Sequence, residues 1–153
     1  MGQSTTINIK GVQFIPLTSI EDQRGDLFHI SKEPEFIAGI KEIYCSTIHS
    51  GEIKAWKKHL KMTQQLVVPV GTVKFVLYDG REDSDSFEAM DEIIIGKESY
   101  GRLVIPPNIW YGFQSKSHIT SLIINTPDIS HDPDEVERLS VDQDRIPYSW
   151  GVA

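Results

Sequence analysis

In the stretch from Gly51 to Gly71, two side chains that could carry protons are separated by a single residue. Lys57 and His59 fall in a segment of mixed polarity that is typical of a short strand, and strand residues two apart point to the same side. A lysine can remove a proton only when it is neutral, which requires a desolvated site, a nearby cation or both. The pair therefore predicts acid–base chemistry, with Lys57 as the base and His59 as an acid or base beside it. The alternatives are a salt-bridged or pocket-rim Lys57 and a His59 that is the remnant of a metal site.

The residues around this pair keep a recognisable spacing. Gly51 is followed by five residues, Lys57, one residue, His59, four residues, Gln64, six residues and Gly71. This resembles the first motif of the cupin superfamily, G-x5-H-x-H-x3/4-E-x6-G, in which two His and a Glu point into a small β-barrel. Only His59 keeps a metal-binding residue type at these positions. Because a metal ion needs several converging ligands, the sequence predicts no metal.

The elements that would position these residues are mostly strands. Alternation along Glu52–Leu60 puts Ile53, Ala55, Lys57 and His59 on one face and Lys54, Trp56 and Lys58 on the other. Further strands are predicted at Val12–Leu17, from the Arg24–Gly25 turn through Ile30, and at Lys41–Ile48, Gln65–Val70, Thr72–Asp79, Glu92–Ile95, Arg102–Ile105, Tyr111–Gln114 and Ser121–Asn125. The stretch Glu33–Gly39 is predicted to be a loop. Short strands at intervals of about 8–12 residues favour an all-β sandwich or barrel.

One short C-terminal helix is predicted after the last strand. Asp132 is a suitable N-cap, Pro133 fits the first helical position, and Glu135 completes an Asp-x-x-Glu capping box. The chain of 153 residues has no repeats or linkers, so a single domain over 1–153 is predicted, with 1–10 as an N-terminal extension. The predicted fold class is an all-β cupin jelly-roll, barrel or sandwich, with this one helix.

The composition excludes some classes of partner. There are 15 Lys and Arg against 22 Asp and Glu, for a net charge of −7, so general binding to nucleic acid or to an anionic membrane is not expected. A phosphorylated ligand remains open, because a few local cations in a pocket decide its binding. Cys45 is the only cysteine and is predicted to be a small buried strand residue. Since the chain shows no secretory signal or membrane span, a cytoplasmic protein is expected.

Five segments, in order, resemble the dTDP-4-dehydrorhamnose 3,5-epimerase family of sugar-nucleotide cupins. They are Asp22–Gly25 (family D-x-R-G), Gly51 with Lys54–Trp56 (the lead into R-G-x-H-x-Q), Tyr78–Arg81 with Ser84 and Phe87 (D-x-R-x-x-S-P-T-F), Leu103–Pro107 with Gly112 and Phe113 (L-Y-I-P-x-G-x-x-H-G-F), and Asp142 with Trp150 (N-D-P…W). The segments run from Asp22 to Trp150, and the resemblance as a whole covers about residues 11–150. The resemblance implies a homodimer that binds a nucleoside-diphosphate sugar without a metal or another cofactor.

The resemblance also implies a reaction, the epimerisation of a 4-keto sugar by removal of a proton next to the ketone. In the family a His oriented by a late Asp is the base, a Lys steadies the oxyanion, and a Tyr returns the proton. Here the His position is Lys57, the Lys position is Gln65, and the stretch Asn125–His131 that should carry the Tyr has none. Asp142, or alternatively Asp144, corresponds to the Asp.

The remaining candidates come from the same comparison. Tyr111 stands where the second cupin motif has a His, and it is either an inward phenol that replaces the missing acid or a packed aromatic. The predicted catalytic set is Lys57, His59, Tyr111 and Asp142, and the predicted substrate-binding set is Arg24, His29, Lys54, Gln65 and Arg81. Arg24, Lys54 and Arg81 suit a diphosphate because cationic groups, Arg above all, bind phosphate oxygens, although Arg81 could be structural. His29 takes the place of a nucleotide-contacting Glu, and Gln65 could offer only a neutral donor.

Two functions follow from these residues. The leading hypothesis is an isomerase that acts on a nucleotide-linked keto sugar, and the rival is a cupin that binds such a sugar without catalysis. Convergence of Lys57, His59 and Tyr111 in one cavity, within hydrogen-bonding reach of a common ligand atom, would favour the isomerase, whereas three side chains aimed at unrelated places would favour the binder.

Overall fold

The computed structural model describes residues 6–151, and its elements are almost all strands. The strands are β1 (Gln13–Pro16), β2 (Ser19–Ile20), β3 (Leu27–Phe28), β4 (Tyr44–Ile48), β5 (Ile53–His59), β6 (Gln64–Val70), β7 (Thr72–Asp79), β8 (Met90–Gly96), β9 (Gly101–Ile105), β10 (Ile109–Ser115), β11 (Ser121–Asn125) and β12 (Val136–Arg138). One helix, α1, covers Pro34–Gly39, and a single 3-10 turn covers Pro133–Glu135. The prediction of an all-β fold is confirmed. Over the part of the chain described, no helix is long and apolar enough to cross a membrane.

Ten of the strands form two antiparallel sheets that pack face to face. The first sheet has the order β1-β9-β6-β11-β4 and the second β12-β5-β10-β7-β8, while β2 and β3 pair separately. The core between the sheets is apolar, and Phe75, Leu77 and Leu103 are each 0% exposed. Each such side chain contributes about 1.5–3 kcal/mol by burial. This is the layered sandwich expected when two sheets each have one apolar face.

The last glycine of the cupin-like spacing, Gly71, connects β6 to β7. Gly71 has a φ of +80°, and a Cβ at this position would lie 2.1 Å from the Ser121 hydroxyl oxygen. Only glycine adopts this conformation and permits this approach without strain. Gly71 therefore forms a tight turn that carries the chain from β6 in one sheet to β7 in the other.

The second sheet is covered on its outer face as well, by the C-terminal segment. An outer cluster forms there from Trp56, Val76, Tyr78, Trp110, Ile146 and Trp150. Gly112 permits this packing, because a Cβ there would lie 2.6 Å from the Ala55 Cβ and 2.7 Å from the Trp150 ring. Strand β5 is thus fixed from both sides.

The N-terminal residues that are described belong to the packed structure. Ile9 is 2% exposed, and the backbone amides of Asn8 and Ile9 each donate to the Asp91 carboxylate at 2.9 Å. Of the predicted extension 1–10, the first five residues lie outside the described part of the chain.

Two local predictions were wrong. Glu33–Gly39 is not a loop, because Pro34 starts helix α1 and Phe36 packs on the Arg102 guanidinium with its ring centroid 4.0 Å away. Cys45 is exposed rather than buried, since β4 is an edge strand.

The predicted C-terminal helix is a single 3-10 turn. Asp132 caps it as expected, and its carboxylate accepts the Asp134 amide at 2.9 Å. The turn ends at Glu135 because the next residues pair with β5 as β12. The Glu135 side chain points to β5, so the predicted capping box does not form.

Candidate active site

A cavity between the two sheets brings Lys57, His59 and Tyr111 together. We call it the outer cavity; its volume is about 270 Å³ and its other lining residues are Glu42, Tyr44, His131, Val136 and Arg138. The inner cavity, of about 100 Å³, shares Tyr44, Lys57 and Tyr111 and is also lined by Ser46, Lys54, Gln64, Leu66, Phe75, Phe113, Ile123 and Asn125. Polar groups from both sheets therefore surround one space, the arrangement expected of a small-molecule site.

A β-bulge in β5 decides which side chains enter these cavities. β10 pairs Tyr111 with Lys57 and Phe113 with Lys54, so that two residues of β5 stand opposite Gly112. The extra residue shifts the alternation of faces by one position. The side chains that point into the cavity therefore follow one inward–outward pattern before the bulge and a pattern shifted by one residue after it.

For the residues of β5 that precede the bulge in the chain, the predicted face of the strand was therefore wrong. Lys54 lines the inner cavity with Lys57, whereas it was expected on the opposite face. Ile53 and Ala55 were expected beside Lys57 and His59, but they pack against the outer cluster. The bulge thus adds a cation to the site that simple alternation excludes.

His59 is held in place by a buried carboxylate. Glu135 is 1% exposed; it accepts the Nδ1–H of His59, and its Oε2 accepts the amides of Leu60, Lys61 and Met62 at 3.1, 3.1 and 3.2 Å. Burial raises the pKa of Glu135, but the bonds from His59 and the amides outweigh it and hold the pKa below its usual value. An ionised carboxylate only accepts hydrogen bonds, so His59 carries its proton on Nδ1. Nε2 is then the nitrogen available to the cavity.

Three cationic groups line the two cavities, namely Lys54, Lys57 and Arg138. Arg138 on β12 stands directly opposite Lys57 on β5, an arrangement in which like charges repel. Within residues 6–151, none of the three forms an ion pair with a carboxylate, and Glu42 instead accepts the His131 amide at 2.8 Å. Burial, and then the charges of Arg138 and Lys54, lower the pKa of Lys57. The site therefore suits an anion, and Lys57 is not the salt-bridged lysine of the alternative interpretation.

Two phenols line both cavities, one from each sheet. Tyr111 on β10 is 5% exposed and stacks on His59, with ring centroids 6.1 Å apart and an interplanar angle of 17°. Burial strongly raises the pKa of Tyr111, against a hydrogen bond from Gln64 that lowers it. Tyr44 on β4 accepts the Asn125 Nδ2–H at 2.7 Å. Tyr111 is thus both an inward phenol and a packed aromatic.

Two residues of the predicted chemistry lie outside both cavities. Asp142 is exposed and accepts the Ser140 hydroxyl, so the carboxylate that it was expected to supply comes from Glu135. Gln65 points away from the inner cavity because its neighbour Gln64 on β6 points into it. No hydrogen-bond partner of the buried Gln65 Oε1 lies among the described residues.

Three predicted substrate-binding residues also lie outside these cavities. The Arg24 side chain is 90% exposed and pairs with Asp22 at 2.9 Å. His29 is half-buried, beside the short β2–β3 pair. Arg81 donates two bonds of 2.8 Å to Asp79, which is 0% exposed, as its structural alternative anticipated. Of the predicted substrate-binding set, only Lys54 lines the site.

Three residues that line or support the site were not predicted as site residues, namely Glu135, Tyr44 and Arg138. No local pattern could have located them, because β12 is only three residues long and its pairing with β5 is a tertiary contact. Over residues 6–151, no three His, Cys, Asp or Glu side chains form a group that could hold a metal ion. The groups available for chemistry are therefore an oriented imidazole, several cations and two phenols.

Comparison with known proteins agrees with this architecture. The sequence profile of the dTDP-4-dehydrorhamnose 3,5-epimerase family matches residues 6–153. The "Probable low-salt glycan biosynthesis epimerase Agl13" of Haloferax volcanii is 35% identical over 144 residues, which covers 92% of this chain and 89% of that protein. The spore coat polysaccharide biosynthesis protein SpsL of Bacillus subtilis is 28% identical over 147 residues, 94% of this chain and 97% of its own.

A solved structure is similar over the same extent. The dTDP sugar isomerase from Desulfovibrio desulfuricans superposes with a TM-score of 0.90 at 37% identity, covering 96% of this chain and 95% of that one. The family profile, the sequence relatives and the solved structure thus indicate the same family over nearly the whole chain. This protein belongs to the dTDP-4-dehydrorhamnose 3,5-epimerase family.

Proposed function

We propose that this protein is an epimerase that acts on a nucleoside-diphosphate 4-keto-6-deoxy sugar, by proton abstraction next to the ketone, in the synthesis of surface glycans. Relatives named as a glycan biosynthesis epimerase and a dTDP sugar isomerase support the class of reaction and substrate. The observation that carries the proposal is the convergence of Lys57, His59 and Tyr111 in one cavity. A non-catalytic binder has no need of this convergence or of a buried carboxylate behind the imidazole.

The reaction makes three demands on the site. Carbons C3 and C5 of a 4-keto sugar are acidic because the ketone accepts the electrons of the broken C–H bond. A base must take the proton, a positive group must stabilise the enolate oxygen, and an acid must return a proton to the other face of the ring. The cavity offers a candidate for each.

His59 is the base in this proposal. Its Nδ1–H is bound by Glu135, so Nε2 presents its lone pair to the cavity. A base that is itself oriented by a hydrogen bond is the arrangement found in many active sites. Imidazole is also the general base that enzymes use most often. The role that the sequence suggested for Lys57 thus passes to His59.

In this proposal Lys57 and Arg138 stabilise the negative charge of the enolate. These two cations face each other and have no carboxylate partner within residues 6–151, so their repulsion is relieved when negative charge develops between them. Lys54, on the inner cavity, is the remaining candidate for the diphosphate. The lowered pKa of Lys57 also allows it to act as the base itself, and the experiments below separate the two roles.

Conversion and binding should be measured on the same samples. We expect the unaltered protein to convert dTDP-4-keto-6-deoxyglucose to an epimer that proton NMR detects by its ring coupling constants. His59→Asn should lose conversion while keeping calorimetric affinity for dTDP, because the base does not bind the nucleotide. Binding of dTDP and of the keto sugar without conversion would instead establish the non-catalytic cupin.

The homodimer implied by the family resemblance is part of this proposal. Light scattering should give the mass of two chains of 17.3 kDa each. A mass of one chain at micromolar concentration would contradict it.

A further inference from the structure

The two sheets contribute different chemistry to the outer cavity. His59, Lys57 and Arg138 all come from the second sheet, on β5 and β12. Tyr44 comes from β4 of the first sheet and lines the same cavity from the other wall. A pyranose ring between the sheets would therefore meet the imidazole on one face and the Tyr44 phenol on the other.

Hydrogen bonds fix the direction in which Tyr44 can donate. Asn125, which is 2% exposed, accepts the Gln65 amide on Oδ1 at 3.0 Å, so its Nδ2 must face Tyr44. Nδ2–H donates to the Tyr44 hydroxyl oxygen at 2.7 Å. The phenol is thus already an acceptor from the protein, and it donates no hydrogen bond within residues 6–151. Its own hydrogen remains for a ligand.

We propose that Tyr44 is the acid that returns a proton to the sugar on the face opposite His59. The inference rests on the proposed function, and it names a residue outside the stretch in which the family carries its Tyr. Tyr111 is the weaker candidate, because it stands on the same sheet as His59 and stacks parallel to it. Burial raises the pKa of both phenols, and strongly so for Tyr111.

The proton balance of the step is simple. His59 Nε2 takes the proton from the carbon next to the ketone, and the C–H electrons form the enolate. The enolate collapses to the ketone as the same carbon takes the hydroxyl proton of Tyr44 from the other face. The tyrosinate left behind is held by the Asn125 Nδ2–H and takes a proton from water, while His59 returns its proton to water. No oxidant or reductant is required.

Removing the Tyr44 hydroxyl should separate proton removal from inversion. We incubate dTDP-4-keto-6-deoxyglucose in deuterated water with Tyr44→Phe and follow both deuterium content and stereochemistry by NMR. Deuterium should still enter at C3 or C5 within about 10-fold of the normal rate, while epimer formation falls about 100-fold or more. Tyr100→Phe is the control, because the Tyr100 hydroxyl is buried outside both cavities and lacks a partner among the described residues. It should leave both rates unchanged.

Each other outcome counts against the assignment. Normal inversion by Tyr44→Phe, or equal loss of exchange and inversion in a variant whose thermal unfolding is normal, would overturn the role of Tyr44 alone. Separation of the two rates by Tyr111→Phe instead would give the role to Tyr111. No exchange by the unaltered protein would overturn the proposed function and the Tyr44 assignment together.

Discussion

Replacement of Glu135 by Gln tests the link between the buried carboxylate and the chemistry of His59. The change keeps the shape of the side chain but puts an NH₂ group where one carboxylate oxygen was. If the amide oxygen keeps the Leu60, Lys61 and Met62 amides, its NH₂ group faces His59 Nδ1. His59 must then accept at Nδ1 and carry its proton on Nε2. The lone pair that faces the cavity is lost.

The expected size of the effect follows from these bonds. An imidazole in the wrong tautomer cannot act as a base, and such changes lower rates by about 10²- to 10⁴-fold. Hydrogen bonds to a charged acceptor are worth about 1.5–3 kcal/mol and to a neutral one about 0.5–1.5 kcal/mol. Glu135→Gln keeps all four contacts in neutral form, a loss of about 4–6 kcal/mol that is partly offset because a neutral amide costs less to bury than a carboxylate. The free energy of unfolding should therefore fall by about 1–3 kcal/mol.

Solvent deuterium exchange and urea unfolding are the two assays. Glu137→Gln is the matched control, since Glu137 lies two residues away and only pairs with Lys58 at 2.7 Å on the exposed side. Glu137→Gln should change the free energy of unfolding by less than about 1 kcal/mol and leave the rate of solvent deuterium exchange into the sugar unaltered. Because the pKa of Glu135 is lowered below 4.5 in the folded protein, its stabilisation is present at neutral pH and is lost as the pH falls through the folded-state value. Acid should therefore destabilise the unaltered protein more than Glu135→Gln. Exchange at the normal rate in Glu135→Gln would refute the reasoning.

Three further predictions concern the cations and metal. Lys57→Met should raise the thermal midpoint at pH 7 by a few degrees, because the folded protein holds the Lys57 ammonium against partial burial and the charge of Arg138. The gain should shrink as the pH rises through the lowered pKa of Lys57, and calorimetry showing a lower midpoint at pH 7 would contradict this. Arg81→Ala should lower the free energy of unfolding in urea by about 2–4 kcal/mol, because the buried Asp79 loses its cationic partner and keeps the neutral hydroxyl donors of Ser84 and Ser86. Its affinity for dTDP should not change, and a 10-fold loss would restore Arg81 as a ligand residue. Dialysis against EDTA should leave turnover intact, whereas loss that an added metal ion restores would show a metal site.

The strands with neighbours on both sides were the ones predicted best from sequence. Thr72–Asp79 and Ser121–Asn125 match β7 and β11 at both ends, and each pairs with two strands. Each carries apolar and β-branched residues that pack in the centre of a sheet, and this composition marks it as a strand. The strand predicted to run through Ile30 is only Leu27–Phe28, because β3 pairs with a two-residue partner.

The face of Lys54 could not be predicted, because it depends on a neighbouring strand. The bulge in β5 exists opposite Gly112 of β10, more than fifty residues later in the chain. Simple alternation holds only while the ladder is regular. Lys57 and His59 lie after the bulge, and their shared face was therefore predicted correctly.

The role of Glu135 was missed for a related reason. Its local sequence fits a capping box, but its carboxylate bonds His59, which lies 76 residues earlier. Pairing of β12 with β5 brings the two together, and that pairing leaves no helix for Glu135 to cap. A short motif predicts local hydrogen bonds, whereas a buried carboxylate goes to the donors that tertiary structure supplies.

The most direct measurement is the rate at which solvent deuterium enters C3 or C5 of dTDP-4-keto-6-deoxyglucose, compared between His59→Asn and Lys57→Ala. We expect the unaltered protein to catalyse exchange and His59→Asn to abolish it, because the bond to Glu135 leaves the lone pair of His59 Nε2 available to the cavity. Lys57→Ala should slow exchange but leave it measurable, since the enolate loses one of two cations. Normal exchange by His59→Asn, with complete loss in Lys57→Ala, would make Lys57 the base and contradict the central claim.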